Sequence, residues 1–178
     1  MTYDGFEFIL GDFEDDQFLV HQPGAYPKIF AGWGEDTLDL RWDAHDGMKV
    51  TVGQNTFGDG PWLKAFEVEN VFGTPFDDVL LGPKEGAGGA VDLYGFLGND
   101  LLRGGGETDV LDGGGGADRL SGRSGADTLF GRGGSDRLRG GYGHDVLRGG
   151  FGNDVLVGGP GSDACVGGVG SDRVDCER

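Results

Sequence analysis

From Gly95 to Asp175 the chain repeats a nine-residue unit nine times without slipping a residue. The units begin at Gly95, Gly104, Gly113, Gly122, Gly131, Gly140, Gly149, Gly158 and Gly167, and every one has Asp at its sixth position. Eight have Gly at position 4, and position 8 is Leu in the first seven units, then Cys165, then Val174. Units such as GGFGNDVLV (149–157) and GGYGHDVLR (140–148) fit the pattern G-G-x-G-x-D-x-U-x, with U a large apolar residue. A Gly-rich linker without structure does not explain nine aspartates and nine apolar residues held in phase over 81 residues.

The first half of each unit places glycine where a turn needs positive φ and where no Cβ must obstruct a ligand. The second half, x-U-x, reads as a short strand whose central side chain points one way and its neighbours the other. One such strand cannot bury its Leu alone, so units must stack, with successive strands about 4.8 Å apart in parallel sheets. If two units form a coil, residues i and i+18 become neighbours. Leu102, Leu120, Leu138, Leu156 and Val174 then line one sheet, and Leu111, Leu129, Leu147 and Cys165 the other.

A core one Leu deep per unit does not offset the entropy of ordering nine residues. The same stacking aligns the position 6 carboxylates. Asp100, Asp118, Asp136, Asp154 and Asp172 form one column; Asp109, Asp127, Asp145 and Asp163 form the other. Each neighbouring pair repels by about 1 kcal/mol even at a water-like dielectric. A divalent cation between turns converts that repulsion into attraction, and carboxylates with glycine-loop carbonyls make an all-oxygen donor set suited to Ca²⁺.

These units resemble the repeats-in-toxin family of hemolysin-type calcium-binding repeats. The resemblance implies an all-β, right-handed parallel β-roll with Ca²⁺ between turns two units apart. The implied ligands are the nine aspartates and main-chain carbonyls of the glycine halves: Gly98, Gly113, Gly116, Gly125, Gly131, Gly134, Gly140, Gly143, Gly149, Gly152, Gly161 and Gly170. Four pairs in the first column and three in the second put the ceiling at about seven ions. Glu107 departs from the pattern by replacing the position 4 Gly, which singles out the 109/127 step as the weak one. Phe96, Arg123 and Arg132 replace the position 2 Gly, a milder change if their side chains point outward.

Charge sharpens the picture. The 178 residues carry 14 basic and 31 acidic groups, a net charge of −17, which argues against nucleic-acid or anionic-membrane partners. Residues 1–94 hold −13 of it and residues 95–178 only −4, so seven divalent ions would turn the array positive. No run of 18 apolar residues suggests a membrane span. Met1-Thr-Tyr-Asp-Gly does not read as a signal peptide, so mature protein or a fragment is expected. Three residues after the array leave no room for a C-terminal secretion signal of the type many relatives carry, so either a fragment or another export route is expected.

The first half reads as a degenerate version of the same roll, dividing the chain into a capping region (1–90) and the regular array (91–178). Ala31–Asp39 has Asp36 at position 6 and Leu38 at position 8; Gly73–Leu81 keeps Asp78 and Leu80 but has Phe76 at position 4. Gly11–Leu19 is the weakest match, with Asp16 and an inward Phe18. Alternation at Phe6, Phe8 and Leu10, at Met48, Val50 and Val52, and at Phe66 and Val68 predicts further strands, with longer loops at 40–47, 53–64 and 82–90. Asp36 and Asp78 join the candidate metal ligands.

Cys165 and Cys176 suit a disulfide across a short loop that ties down the last coil, and such a bond favours an oxidising, extracellular compartment. Catalytic signatures are missing: the chain has no H-E-x-x-H and no G-x-S-x-G, and only His21, His45 and His144. The expectation is therefore a non-enzymatic, secreted, monomeric calcium module that folds outside the cell and stabilises or aids export of a larger protein. A calcium-dependent carbohydrate-binding or adhesin module is the alternative, with Trp33, Trp42 and Trp62 as stacking platforms. An enzyme built on the acidic loops ranks last.

Overall fold

The computed structural model describes residues 68–84 and 89–176, and six strands before them. Those six, in chain order, are β1 (Phe8–Leu10), β2 (Gln17–Leu19), β3 (Lys28–Phe30), β4 (Thr37–Asp39), β5 (Lys49–Val52) and β6 (Leu63–Phe66). Twelve follow: β7 (Asn70–Phe72), β8 (Val79–Leu81), β9 (Asp92–Leu97), β10 (Leu101–Arg103), β11 (Val110–Gly115), β12 (Arg119–Ser124), β13 (Thr128–Gly133), β14 (Arg137–Tyr142), β15 (Val146–Phe151), β16 (Val155–Val157), β17 (Ala164–Val169) and β18 (Arg173–Asp175). Among the described residues there is no helix.

Odd and even strands of the array alternate between two parallel sheets, as two short strands per coil require. The ten-stranded sheet runs β1-β3-β6-β5-β8-β10-β12-β14-β16-β18, the eight-stranded one β17-β15-β13-β11-β9-β7-β4-β2. Registers of Leu102 on Leu120, Leu120 on Leu138 and Leu111 on Leu129 confirm stacking at i and i+18. The inward leucines meet between the sheets, and Leu102, Leu111, Leu129, Leu147 and Leu156 are completely buried. Cys165 packs partly buried against this core and forms a disulfide with Cys176, Cα to Cα 6.2 Å.

The roll continues into the first half. Leu38, Val71 and Leu93 stack in the eight-stranded sheet, and Val50, Leu80 and Leu102 in the other. The side chains of Leu38, Val71 and Leu80 are fully buried. Two features depart from simple extension. Within the expected loop at 53–64, β6 begins at Leu63; it lies between β3 and β5, so the chain passes over one strand position and returns to it. The coil that joins β8 to β10 is 22 residues rather than 18, because Asp78 meets Asp100. The registers place the extra residues in the chain between β8 and β9.

Candidate metal centre

Position 6 falls at the two edges of the roll, where the chain crosses from one sheet to the other. Its carboxylates are held there by main-chain donors. On the first edge Oδ1 of Asp118, Asp136, Asp154 and Asp172 accepts the N–H of Asp100, Asp118, Asp136 and Asp154 at 2.8, 2.8, 2.9 and 3.0 Å. On the second edge Oδ1 of Asp127, Asp145 and Asp163 accepts the N–H of Asp109, Asp127 and Asp145, each at 2.9 Å. Both columns thus form, and the structure adds a first member to each. Asp78 heads the first, its N–H 2.7 Å from Oδ1 of Asp100. Val91 heads the second, its N–H 2.8 Å from Oδ1 of Asp109. Val91 is buried and apolar, so that column of carboxylates begins at Asp109.

The second oxygens tell the two kinds of unit apart. Oδ2 of Asp100, Asp118, Asp136 and Asp154 on one edge, and of Asp127, Asp145 and Asp163 on the other, is buried without a hydrogen-bond partner. A buried polar atom without a partner is costly. Asp78 and Asp109 differ. Oδ2 of Asp78 accepts the Thr74 N–H at 2.6 Å and its hydroxyl at 3.2 Å, and Oδ2 of Asp109 accepts the Gly105 N–H at 2.5 Å.

The distinction tracks the backbone at position 2. Every unit with an unpartnered Oδ2 has a left-handed residue there: Phe96 (φ 76°), Gly114 (95°), Arg123 (87°), Arg132 (75°), Gly141 (127°), Gly150 (111°) and Gly159 (106°). Thr74 and Gly105 are not left-handed and donate to their own carboxylate. The left-handed Gly141 instead turns its N–H to the Gly158 carbonyl, at 2.8 Å. The three non-glycine side chains do turn outward. Phe96 lies 6.1 Å from the Phe72 ring, Arg123 donates to the Pro83 carbonyl at 3.1 Å, and Arg132 pairs with Asp112 at 2.6 Å. The change is less mild than expected, since left-handed φ costs a non-glycine residue about 1–2 kcal/mol.

Glycines close the rest of the edge. Gly98, Gly116, Gly134, Gly152 and Gly170 are left-handed on the first edge, as are Gly125, Gly143 and Gly161 on the second. A Cβ on Gly134 would land on the Gly116 carbonyl oxygen, and one on Gly152 on that of Gly134. Glu107 breaks the left-handed pattern, yet its carbonyl keeps the same place, where a Cβ on Gly125 would land. Position 1 glycines face the carboxylates: a Cβ on Gly113, Gly131, Gly140 or Gly149 would land on Oδ2 of Asp118, Asp136, Asp145 or Asp154. Carbonyl oxygens of Gly113 and Gly149 point into the neighbouring position 1 pockets at Gly95 and Gly131.

Unpartnered carboxylate oxygens, stacked carbonyls and no Cβ between them fit a hard cation. Among the described residues no three His, Cys, Asp or Glu side chains cluster, so main-chain carbonyls must complete any coordination shell. The electrostatics agree. Burial pushes Asp100 and Asp127 up to about 7 and Asp136 up to about 6, against main-chain hydrogen bonds that lower them and with neighbouring carboxylates that raise them further. Burial likewise raises Asp109, Asp118 and Asp145.

His144 stays outside the carboxylate columns, its Nδ1 accepting the Ser162 N–H at 3.0 Å. Asp36, Trp33, Trp42, Trp62, His21 and His45 lie outside the described residues. Thr74, Gly105 and Val91 escaped the sequence reading; counting 18 residues back from Asp109 finds Val91, whereas the position 2 conformation leaves no mark in residue type.

A parallel β-roll with buried carboxylates and stacked carbonyls along both edges is a calcium-binding solenoid. The RTX calcium-binding nonapeptide repeat model matches residues 85–111, 94–129, 104–138 and 139–174, half of the chain. The chain therefore belongs to the RTX calcium-binding nonapeptide repeat family. No curated protein matches it. Among the described residues no helix is long and apolar enough to cross a membrane.

Proposed function

We propose that the chain is a secreted module whose array, residues 91–178, folds on binding Ca²⁺ and stabilises or aids export of the protein that carries it. Residues 1–90 extend the roll as its cap. The observation that carries this reading is the set of seven buried carboxylate oxygens without a partner, four on one edge and three on the other. Those are the numbers of steps between successive aspartates, 100 to 172 and 109 to 163, and they support up to about seven ions. Asp100, Asp118, Asp136, Asp154 and Asp172, and Asp127, Asp145 and Asp163, hold the ions with glycine carbonyls; the bound cation supplies positive charge between carboxylates that otherwise repel.

Asp78 and Asp109 contribute less to ion binding, because both of their carboxylate oxygens already accept hydrogen bonds within the chain. Binding to the folded array but not to the unfolded chain converts ion affinity into folding free energy. A low-calcium cytosol then keeps the array unfolded, and the outside of the cell folds it, with affinity in the range of extracellular modules, about 10⁻⁴–10⁻³ M. The disulfide at Cys165–Cys176 suits the same compartment. Calcium titration followed by isothermal calorimetry tests the reading. Cooperative binding of several ions per chain supports it, and absence of binding at millimolar calcium overturns it.

A further inference from the structure

The outer face of the ten-stranded sheet carries four arginines on three adjacent strands: Arg103 on β10, Arg119 on β12, and Arg137 and Arg139 on β14. Arg119 stands directly opposite Arg137, and Arg103 and Arg139 flank Ser121 in the neighbouring column. With strands about 4.8 Å apart, the four guanidinium groups share a span of about 10 Å. We propose that this face binds an acidic polysaccharide, with carboxylate or sulfate groups on its sugar rings, and binds it in the calcium-loaded state. The calcium dependence rests on the function proposed above.

Among the described residues none of the four side chains forms an ion pair, hydrogen bond or ring contact. Three other arginines of the array are engaged, Arg132 with Asp112, Arg123 with the Pro83 carbonyl, and Arg148 5.7 Å from the Phe130 ring centre, while Arg173 on β18 is exposed further along the same sheet. Like charges directly opposite on paired strands are destabilising, and an anionic ligand removes that penalty. Guanidinium groups suit the purpose because their forked donors match carboxylate and sulfate oxygens two at a time.

The surroundings favour a glycan over nucleic acid. From β8 to β18 this sheet exposes a single aromatic residue, Tyr142 at the turn end of β14, so successive bases find no row of stacking platforms. Asp175 is the lone carboxylate at the outward positions of these strands. The overall charge of −17 repels a polymer as densely charged as duplex DNA. Calcium enters through the field. The two aspartate columns flank the arginine face at both edges, and residues 95–178 carry −4 without ions. Neutralising the columns leaves the arginines as the dominant local charge.

The test uses the full chain on immobilised dextran sulfate, hyaluronate and uncharged dextran, with calcium and with chelator, while circular dichroism follows folding. Retention by either acidic glycan in calcium, lost in chelator and absent on uncharged dextran, supports the proposal and identifies the preferred anion. The double variant Arg119→Ser, Arg137→Ser should bind about tenfold more weakly or worse. Arg148→Ser, which removes charge from the other sheet, should bind within about twofold of the parent. Both variants should fold with calcium as the parent does. Calcium-induced folding without retention on either acidic glycan overturns this proposal alone, and so does an unaffected double variant or tighter binding to duplex DNA. Retention that persists without calcium-induced folding contradicts the underlying calcium reading instead.

Discussion

The main-chain N–H of Asp136 donates to Oδ1 of Asp154, one coil further along, at 2.9 Å, while Oδ2 of Asp154 is buried with no partner. In the seven carboxylates with an unpartnered Oδ2, one oxygen therefore registers the coils and the other is left for a cation. Because each aspartate touches the coil before it through Oδ1 and the same pocket through Oδ2, neighbouring sites share residues.

Sharing predicts unequal losses along the first column. Asp136 has carboxylate neighbours on both sides, Asp118 and Asp154, whereas Asp172 follows Asp154 as the last member. Asp136→Ala should lower the bound calcium by about two ions and Asp172→Ala by about one, as read by isothermal titration. Equal losses for the two variants would mean that ions are not shared between coils.

The satisfied carboxylates should matter less for the metal than the unpartnered ones. Oδ2 of Asp109 already accepts the Gly105 N–H, while Oδ2 of Asp127 is unpartnered. Asp109→Asn should therefore weaken overall calcium affinity less than Asp127→Asn. The ordering is read from calcium titrations of the two variants; a larger effect of Asp109→Asn would show that its Oδ2 faces an ion despite its internal partner.

Much of this arrangement was legible in the sequence. The unbroken phase from Gly95 places Leu102 over Leu120 and Asp118 over Asp136, because any slip would send leucines to solvent. Legibility fails where the phase breaks. The 22-residue coil between Asp78 and Asp100 hides the continuity of that column, and the reversed order of β5 and β6 depends on long-range pairing rather than local pattern. Arg132 at position 2 has nothing in its identity that announces φ 75°; stacking imposes it, since glycines lie above and below at Gly114 and Gly150.

That position should tolerate substitution far better than position 4. Gly134→Ala places a methyl group on the Gly116 carbonyl at φ 127°, and should destabilise the calcium-loaded fold by at least about 2 kcal/mol. Arg132→Gly relieves about 1–2 kcal/mol of left-handed strain but loses the exposed Asp112 pair and the Phe130 ring contact at 4.6 Å, each worth up to about 1 kcal/mol. Its net effect should be within about 1 kcal/mol of zero. Denaturant melts in saturating calcium decide both.

Protons should partly replace calcium. Asp100 and Asp127 sit at about 7 and Asp136 at about 6 in the cation-free fold, against about 3.9 for an unfolded Asp. The folded chain thus binds more protons between these values, so cation-free stability rises as pH falls from about 7 towards 4 and is lost as pH rises through about 6 to 7. After exhaustive calcium removal, strand signal should be stronger at about pH 5 than at about pH 8, while calcium affinity should be weaker at the lower pH. Cation-free strand content that falls on acidification over this range would contradict the assignment.

The central claim, that calcium completes the edges of the roll, is tested most directly by hydrogen exchange of the full chain with and without the ion. In saturating calcium the main-chain amides of Asp100, Asp118, Asp136 and Asp154, each bound to the carboxylate of the following coil, should be strongly protected. In excess chelator at neutral pH that protection should vanish across residues 95–175, together with the strand signal in circular dichroism. Protection of these amides that persists unchanged in chelator would show that the roll stands without calcium, and the account would fail.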